Sequence, residues 1–297
     1  MLAVLAFLLW FLPADAKLAS VEQSLAKGQY RTALDQLADF NSHDARWHLL
    51  ASEAYDGLNN PAEAVQEAEE ALKLEPQQPA FHLQLAQIFL SRNTPQAAWE
   101  ILRDASAMFP DEFMIRLGKG LAEKELQRYD EAEQSFQWCL ARQPASALAF
   151  DALATVYLHR SRFRDLRELA TGFLKQNAAD YRGYYFLAAG QDGELLGADT
   201  TLSLLRKTLN QNPSFAAAHA LMGKILLREG NTTEAVSFLK RAVALRPDLV
   251  QAHLNLARAL RLLHDESGSV REFEIVRQLK AKEQEPAPSL HYHRGPR

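Results

Sequence analysis

The chain is poor in cysteine, glycine and proline, and each shortage excludes a class of protein. A single cysteine, Cys139, cannot form an intramolecular disulfide, so this is not a disulfide-stapled scaffold. Its 13 glycine and 12 proline residues among 297 lie below the average usage of roughly 12%. This shortage argues against collagen-like, linker-dominated and disordered chains. The net charge is −4, so the chain lacks the excess of basic residues that is typical of a nucleic-acid binder, and no nucleic-acid partner is expected.

Leucine and alanine are instead abundant, and together they number 95. Both residues lose little free energy on entering a helix. The composition therefore predicts a mainly helical protein. A length of 297 residues would by itself favour about two domains, but the repeats described below favour one continuous array.

The N-terminal segment is typical of an export signal. Residues 1–12 are wholly apolar, and Ala14-Asp15-Ala16 fits the small-x-small pattern of a signal peptidase site. We interpret residues 1–16 as a cleavable signal peptide and expect an exported protein, periplasmic in a bacterium or extracellular. No apolar run, here or later, reaches the roughly 20 residues of a membrane span. The apolar run lacks the basic residues that usually begin a signal peptide. A buried helix or a membrane anchor remains an alternative.

Prolines recur along the chain with a 34-residue period. They stand at residues 76, 110, 144, 213 and 247, so the spacings are 34, 34, 69 and 34. The long interval holds one more unit, because Ala178 lies 34 residues after Pro144 and 35 before Pro213. Alanine recurs twelve residues before four of the prolines, at Ala64, Ala98, Ala132 and Ala235. A fixed period of this length indicates a repeat architecture, in which neighbouring units bury one another's apolar faces.

The unit resembles the tetratricopeptide repeat, a 34-residue helix–turn–helix. Two units carry most of its pattern: residues 45–76 (Trp47, Tyr55, Ala64, Ala71, Pro76) and residues 216–247 (Gly223, Gly230, Ala235, Ala242, Pro247). The resemblance implies an all-α fold, a right-handed α-α superhelix of stacked antiparallel helix pairs. It also implies a non-enzymatic role in binding other proteins.

The repeat register predicts eight repeats over residues 17–280 and a disordered tail over 281–297. The predicted repeats span residues 17–44, 45–78, 79–112, 113–146, 147–180, 181–215, 216–249 and 250–280, and the first is abbreviated. Arg277 occupies a position that is mostly apolar in the other repeats and faces the next unit. A polar residue there predicts that the array ends near Lys280.

The repeat at 181–215 is irregular. It carries an extra residue, contains Gly190, Gly193 and Gly197, and lacks alanine at the usual small positions of its second helix. We therefore expect a local change in superhelix pitch or a weaker joint at this repeat.

No catalytic or metal-binding motif is found in the sequence. His48, His82, His219 and His253 all occupy position 4 of their repeats, where Phe150 and Tyr184 stand in two others. We interpret this position as one for a large, flat side chain rather than as a ladder of ligands. Cys139 occupies a small-residue position and is expected to pack in the core. We predict no catalytic residue, metal or cofactor, while a hydrolase that uses the histidines remains an alternative.

The resemblance also implies a concave groove lined by the first helix of each repeat. In the N-terminal half the candidate residues are apolar or neutral: Leu83, Gln84, Gln87, Leu117 and Leu121. In the C-terminal half they carry positive charges or amides: Lys224, Arg228, Gln251, Asn255 and Arg258, with Tyr185 near the middle. A groove that is apolar at one end and cationic at the other favours an extended peptide with apolar anchors and carboxylates.

These features predict an exported scaffold that binds a protein or peptide partner on its concave face. The alternative is an accessory subunit of an envelope enzyme or assembly system, in secretion, glycan synthesis or protein maturation, with catalysis on another chain. Ile275 and Leu279 of the last helix have no following repeat to cover them. A weak homodimer through this helix is a further expectation.

Overall fold

The computed structural model describes residues 18–40 and 43–283. Every regular element within these residues is an α-helix, and short turns make successive helices antiparallel neighbours. The predicted all-α fold of stacked helix pairs is therefore confirmed. The predicted signal peptide and residues 284–297 lie outside the described residues.

The fold divides into two compact units, with described residues 18–139 and 140–283. The expectation of one continuous array over residues 17–280 stays a prediction. The helices of the first unit are α1 (Leu18–Ala26), α2 (Tyr30–Ala38), α3 (Ala45–Gly57), α4 (Pro61–Leu74), α5 (Pro79–Ser91), α6 (Pro95–Met108), α7 (Phe113–Glu125) and most of α8 (Tyr129–Arg142).

The second unit contains the remaining helices. They are α9 (Ala147–His159), α10 (Phe163–Gln176), α11 (Tyr181–Gly193), α12 (Ala198–Gln211), α13 (Ala216–Arg228), α14 (Thr232–Leu245), α15 (Val250–Leu262) and α16 (Glu266–Glu283). Helix α16 continues three residues past Lys280, so residues 281–283 are helical rather than part of a tail.

Local sequence explains where these helices begin and end. Pro61, Pro79 and Pro95 each occupy the first turn of a helix, where the fixed φ of proline suits the helix and its missing N–H is not needed. In the turns that join the helices of a pair, one residue adopts a left-handed conformation, for example Asn59 with φ 63° and Gly230 with φ 83°. Such a residue ends the first helix and lets the chain reverse.

Small residues form the contact between the two helices of a pair. Ala64, Ala98, Ala132 and Ala235, the four predicted small positions, are fully buried. Small side chains at a helix crossing allow the helix axes to approach closely. Cys139 is also fully buried, which confirms its expected packing role.

The irregular repeat contains helices of the usual length, and its extra residue lies in the turn. Four residues, 194–197, join α11 to α12, whereas three residues, 229–231, join α13 to α14. A Cβ atom on Gly190 would lie 2.6 Å from Arg167 Cγ, and one on Gly193 would lie 2.3 Å from the Phe163 ring. The glycines therefore permit α11 to pack closely on α10. A weaker joint at this repeat stays a prediction.

Candidate functional site

A groove in the second unit is lined chiefly by the first helices of three successive pairs, α11, α13 and α15. Its volume is about 450 Å³. The large side chains of its wall are apolar or aromatic: Leu158, Phe163, Tyr185, Leu221 and Leu249. Alanines and Gly193 line the space between them, and their small size leaves the groove open.

Four polar residues also line the groove. They are Asp192 on α11, Lys224 on α13, and Gln251 and Asn255 on α15. Three of these four and Tyr185 were predicted from the sequence, so the structure brings four of the predicted partner-binding residues to one surface. A concave, mainly apolar surface with a few converging polar groups is typical of a binding site.

Tyr185 contributes an aromatic surface with a polar end. Its ring makes edge contacts with Phe186 and Phe215, with centroids 5.1 and 4.9 Å away. Burial raises the pKa of Tyr185 to about 12, and the negative charge of Asp151 adds to this increase. The hydroxyl therefore keeps its proton at neutral pH and remains a hydrogen-bond donor.

Asp192 is the charged residue that sequence reasoning missed. Its carboxylate is 3% exposed and accepts hydrogen bonds from Lys224 Nζ and Arg228 Nη1, each at 2.7 Å. Burial alone would lower the pKa of Arg228, but the hydrogen bonds to Asp192 and Glu229 raise it. The predicted cationic end of the groove is thus partly neutralised. The available signal was spacing, since Asp192 precedes its partners by 32 and 36 residues, about one repeat.

Gln251 and Asn255 form a polar pair on α15. Gln251 Nε2 donates to Asn255 Oδ1 at 3.2 Å, and Asn255 is 5% exposed. The structure gives no protein acceptor for Asn255 Nδ2 among the described residues. Arg258, one helical turn further on, is exposed and is not part of the groove wall.

The N-terminal candidates belong to the first unit. Leu83, Gln84 and Leu117 are buried, and Leu83 packs in the core of that unit. Gln87 and Leu121 are half-buried. Of this predicted apolar surface, only these last two residues present substantial area to a partner.

The histidines at position 4 have a structural role beyond packing. Nε2 of His82, His219 and His253 lies 2.9 Å from the backbone oxygen of Pro76, Pro213 and Pro247, respectively. In the irregular repeat the Tyr184 hydroxyl donates to the Ala178 oxygen at 2.9 Å. In these four repeats the side chain at position 4 therefore binds the end of the preceding repeat, whereas His48 Nδ1 lies 2.6 Å from Glu67 Oε2.

Two properties of the described residues bear on other functions. No three or more His, Cys, Asp or Glu side chains in residues 18–40 and 43–283 are grouped so that they could hold a metal ion. In the same part of the chain, no helix combines the length and apolar character needed to cross a bilayer.

Comparison with known structures shows proteins of the same fold. A tetratricopeptide repeat protein from Parabacteroides merdae aligns with a TM-score of 0.67 and 12% identity, over 80% of this chain and 94% of that one. A chain of the APC/C hetero-tetramer Cut9–Hcn1 aligns with a TM-score of 0.64 and 19% identity, over 82% of this chain. The alignment spans 48% of that chain, about half its length. A thermophilic tetratricopeptide repeat protein from Thermus thermophilus, TTC0263, aligns with a TM-score of 0.51 and 20% identity, over 58% of this chain and 93% of that one.

Comparison of sequences identifies the family. None of the curated protein sequences matches the chain. The family model described as tetratricopeptide repeat matches five segments, residues 49–113, 83–147, 117–165, 202–250 and 222–270, which together cover residues 49–165 and 202–270. These segments cover more than half of the 297 residues. Together with the repeated helix pairs, they show that the chain belongs to the tetratricopeptide repeat family.

Proposed function

We propose that this protein is a non-enzymatic scaffold that binds a peptide segment of a partner protein in the groove of α11, α13 and α15. The observation that carries the proposal is the convergence of Tyr185, Lys224 and Asn255 on one concave, largely apolar surface. Aromatic and apolar side chains in such a surface supply contact area, and the amide and ammonium groups supply hydrogen bonds to a peptide backbone or carboxylate.

A peptide-binding measurement with a blocked groove tests the proposal. Ala220 is a half-buried wall residue of α13, so Ala220→Trp would fill the groove. Asn255→Ala would remove the amide whose N–H group lacks a protein acceptor. Both variants are expected to weaken binding of peptides selected from a random twelve-residue display library by tenfold or more.

The matched control places the same bulky side chain elsewhere. Ser203 is exposed on α12, a second helix, and does not line the groove. Ser203→Trp is expected to bind the selected peptides as the wild type does. Selected peptides that bind Ala220→Trp as tightly as the wild type would place the interaction on another surface.

We further propose that the protein is exported. The apolar run of residues 1–12 and the Ala14-Asp15-Ala16 site support this location. N-terminal sequencing of the protein from a fractionated native host is the test. A mature chain that starts at Lys17 in the periplasmic or extracellular fraction supports export, and a cytosolic chain that keeps residue 1 contradicts it.

Two finer roles stand as alternatives within this proposal. A scaffold of this kind also fits an accessory subunit of an envelope enzyme or assembly system, with catalysis on another chain. A weak homodimer through α16 would cover Ile275 and Leu279, which are half-buried. Sedimentation over a range of concentrations tests the second point, because a concentration-independent monomer would exclude the dimer.

A further inference from the structure

We infer that the turn between α11 and α12 is a second contact surface for the same partner, whose bound segment carries two large apolar side chains and a nearby carboxylate. The inference rests on the proposed function, because it extends the binding surface of the groove. It identifies the chemistry of the partner from four features: the exposed leucines, the fixed conformation of the turn, its closeness to the groove wall and the charge at the rim of the groove.

The turn exposes two leucines to solvent. Leu195 is 70% exposed and Leu196 is 46% exposed. Leu195 also has φ 55°, a left-handed conformation that is unfavourable for a residue with a large side chain. Asn59, Asn93 and Gly230, which adopt this conformation readily, occupy the corresponding place in three other turns, and Gln127, Ser161 and His264 occupy it in three more. Leu195 is thus the one large apolar residue at this place among the described turns. A strained, solvated leucine is therefore explained by a contact outside the fold.

The turn holds these leucines in a fixed position. The backbone N–H of Leu195 donates to the backbone oxygen of Asp192 at 3.1 Å, and the backbone N–H of Leu196 donates to the backbone oxygen of Gln191 at 2.9 Å. The following Gly197, with φ 89°, leads directly into α12. Because the backbone is already ordered, a partner that contacts the leucines avoids the entropic cost of fixing the loop.

The leucines follow the wall of the groove closely along the chain. Asp192 and Gly193 line the groove, and Leu195 follows Gly193 by two residues, so their Cα atoms are at most about 7.6 Å apart. Two residues of an extended peptide cover about this distance, and side chains two residues apart point to the same side. One apolar side chain in the groove and a second, two positions away, on Leu195 therefore fit an extended segment.

The charge at this rim indicates a carboxylate on the partner. Arg228 is paired with both Asp192 and Glu229, whereas Lys224 is paired with Asp192 and its side chain remains 51% exposed. Lys224 has two further N–H groups available. An acidic residue beside the first apolar anchor would accept hydrogen bonds from these N–H groups.

An array of synthetic twelve-residue peptides provides the probe. Each peptide carries one or two phenylalanines, separated by one to six positions in a serine and threonine background, with either glutamate or lysine beside the first. The strongest binding is expected for two phenylalanines two positions apart with glutamate. Fluorescence anisotropy then measures the Kd of this peptide for the wild type and variants.

The decisive variant changes Leu195 and Leu196 to serine together. We expect it to raise the Kd of the two-anchor peptide at least tenfold and to leave the Kd of the one-anchor peptide unchanged. Leu262→Ser with Leu263→Ser is the matched control, because these neighbouring leucines of another turn are also exposed, at 61% and 42%. This control is expected to stay within twofold of the wild type for both peptides.

A stability measurement separates binding from folding. Leu195→Asn places a residue that tolerates left-handed φ in the turn, so it should melt at or above the wild-type temperature while binding the two-anchor peptide more weakly. Wild-type affinity in the Leu195/Leu196 double variant, with loss in Ala220→Trp, would overturn the inference and leave the proposed function standing. An equal loss in the Leu262/Leu263 control would also overturn the inference. An array in which no peptide binds the wild type would overturn the inference, and the peptides selected from the display library would still test the proposed function.

Discussion

The irregular pair α11–α12 and the following pair α13–α14 have helices of the same lengths but different small residues. The first helices have 13 residues each and the second helices 14. In the regular pair, a Cβ atom on Gly223 would lie 2.5 Å from Leu239 of the partner helix α14. In the irregular pair, Gly190 and Gly193 face α10 of the preceding pair instead. These glycines therefore allow close packing at the junction with the preceding pair in one case and within the pair in the other.

Threonines replace alanines inside the irregular pair. Thr201 and Thr208 are buried at the places that Ala235 and Ala242 occupy in the regular pair. Their hydroxyls donate to backbone oxygens of their own helix, at 2.8 Å for Thr201 and 3.1 Å for Thr208. A buried hydroxyl satisfied in this way costs little. The fold therefore tolerates different residues at the helix crossings, while the exposed turn and the groove wall of α11 remain available for binding.

The largest expected effect comes from adding a side chain at the junction of α10 and α11. A Cβ on Gly190 would lie 2.6 Å from Arg167 Cγ and 3.1 Å from the Phe163 backbone oxygen, and the backbone cannot move aside easily. Gly190→Val should lower the free energy of unfolding by about 3 kcal/mol, toward the upper end for overpacked sites. Urea unfolding measures this change.

The control lies in the neighbouring helix. Gly172 in α10 has open space around its Cα, so Gly172→Val should change the free energy of unfolding by less than about 0.5 kcal/mol. Gly223→Val tests the regular pair and should cost about as much as Gly190→Val. A loss of stability in Gly223→Val but not in Gly190→Val would show that the junction of α10 and α11 is loosely packed, as the irregular sequence led us to expect.

The next effect concerns the buried carboxylate that α11 contributes to α13. Asp192→Ala removes the common acceptor of Lys224 and Arg228. Since both cations are partly exposed and can turn to water, the cost should be about 1–2 kcal/mol, below that of breaking a fully buried ion pair. Asp199→Ala, at an exposed residue of α12, should stay within about 0.5 kcal/mol. Equal stability of the two variants in urea unfolding would contradict a structural role for Asp192.

Some of these features could be predicted from the sequence, and others could not. Helices begin at residues 79 and 216, where the proline register starts repeats, because proline and left-handed turn residues act locally. The convergence of Lys224 and Asn255 follows from the same register. Asp192 escaped notice because its pairing depends on which face of α11 meets α13. Leu83 was predicted to line the groove, but it packs against residues of neighbouring helices in the core of the first unit and is buried.

Helix capping distinguishes the two pairs at acidic pH. Asp180 caps α11 by accepting from the N–H of Arg182 at 2.9 Å, whereas the residue before α13, Phe215, has no side-chain cap. Burial would raise the pKa of Asp180, but hydrogen bonds from Arg182 outweigh it and hold the pKa below its usual value of 3.8. Asp180→Ala should therefore cost about 1 kcal/mol at pH 7.

The pH dependence of this difference follows from the direction of the pKa shift. A carboxylate whose pKa is lower in the folded state stabilises the protein above the unfolded pKa, and this contribution is lost as pH falls through the folded pKa. The difference in free energy of unfolding between the wild type and Asp180→Ala should thus have its full size above about pH 5 and decrease below about pH 4. Urea unfolding across this range measures it, and a gap that stays constant down to pH 3 would show that the cap acts without its charge.

The smallest effect is expected at position 4, where Tyr184 of the irregular pair and His219 of the regular pair bind the preceding repeat. Replacing either with phenylalanine removes one hydrogen bond, and Phe150 shows that the position accepts this ring. Tyr184 is half-buried, but its hydrogen bond is exposed to solvent, so the Ala178 oxygen can bind water instead and Tyr184→Phe should cost about 0.5 kcal/mol. His219→Phe should cost little more, because it also removes a buried Nδ1 that has no hydrogen-bond partner. Thermal unfolding of both variants tests this ranking, and a loss above about 2 kcal/mol in either would mean that position 4 is essential for stacking the repeats.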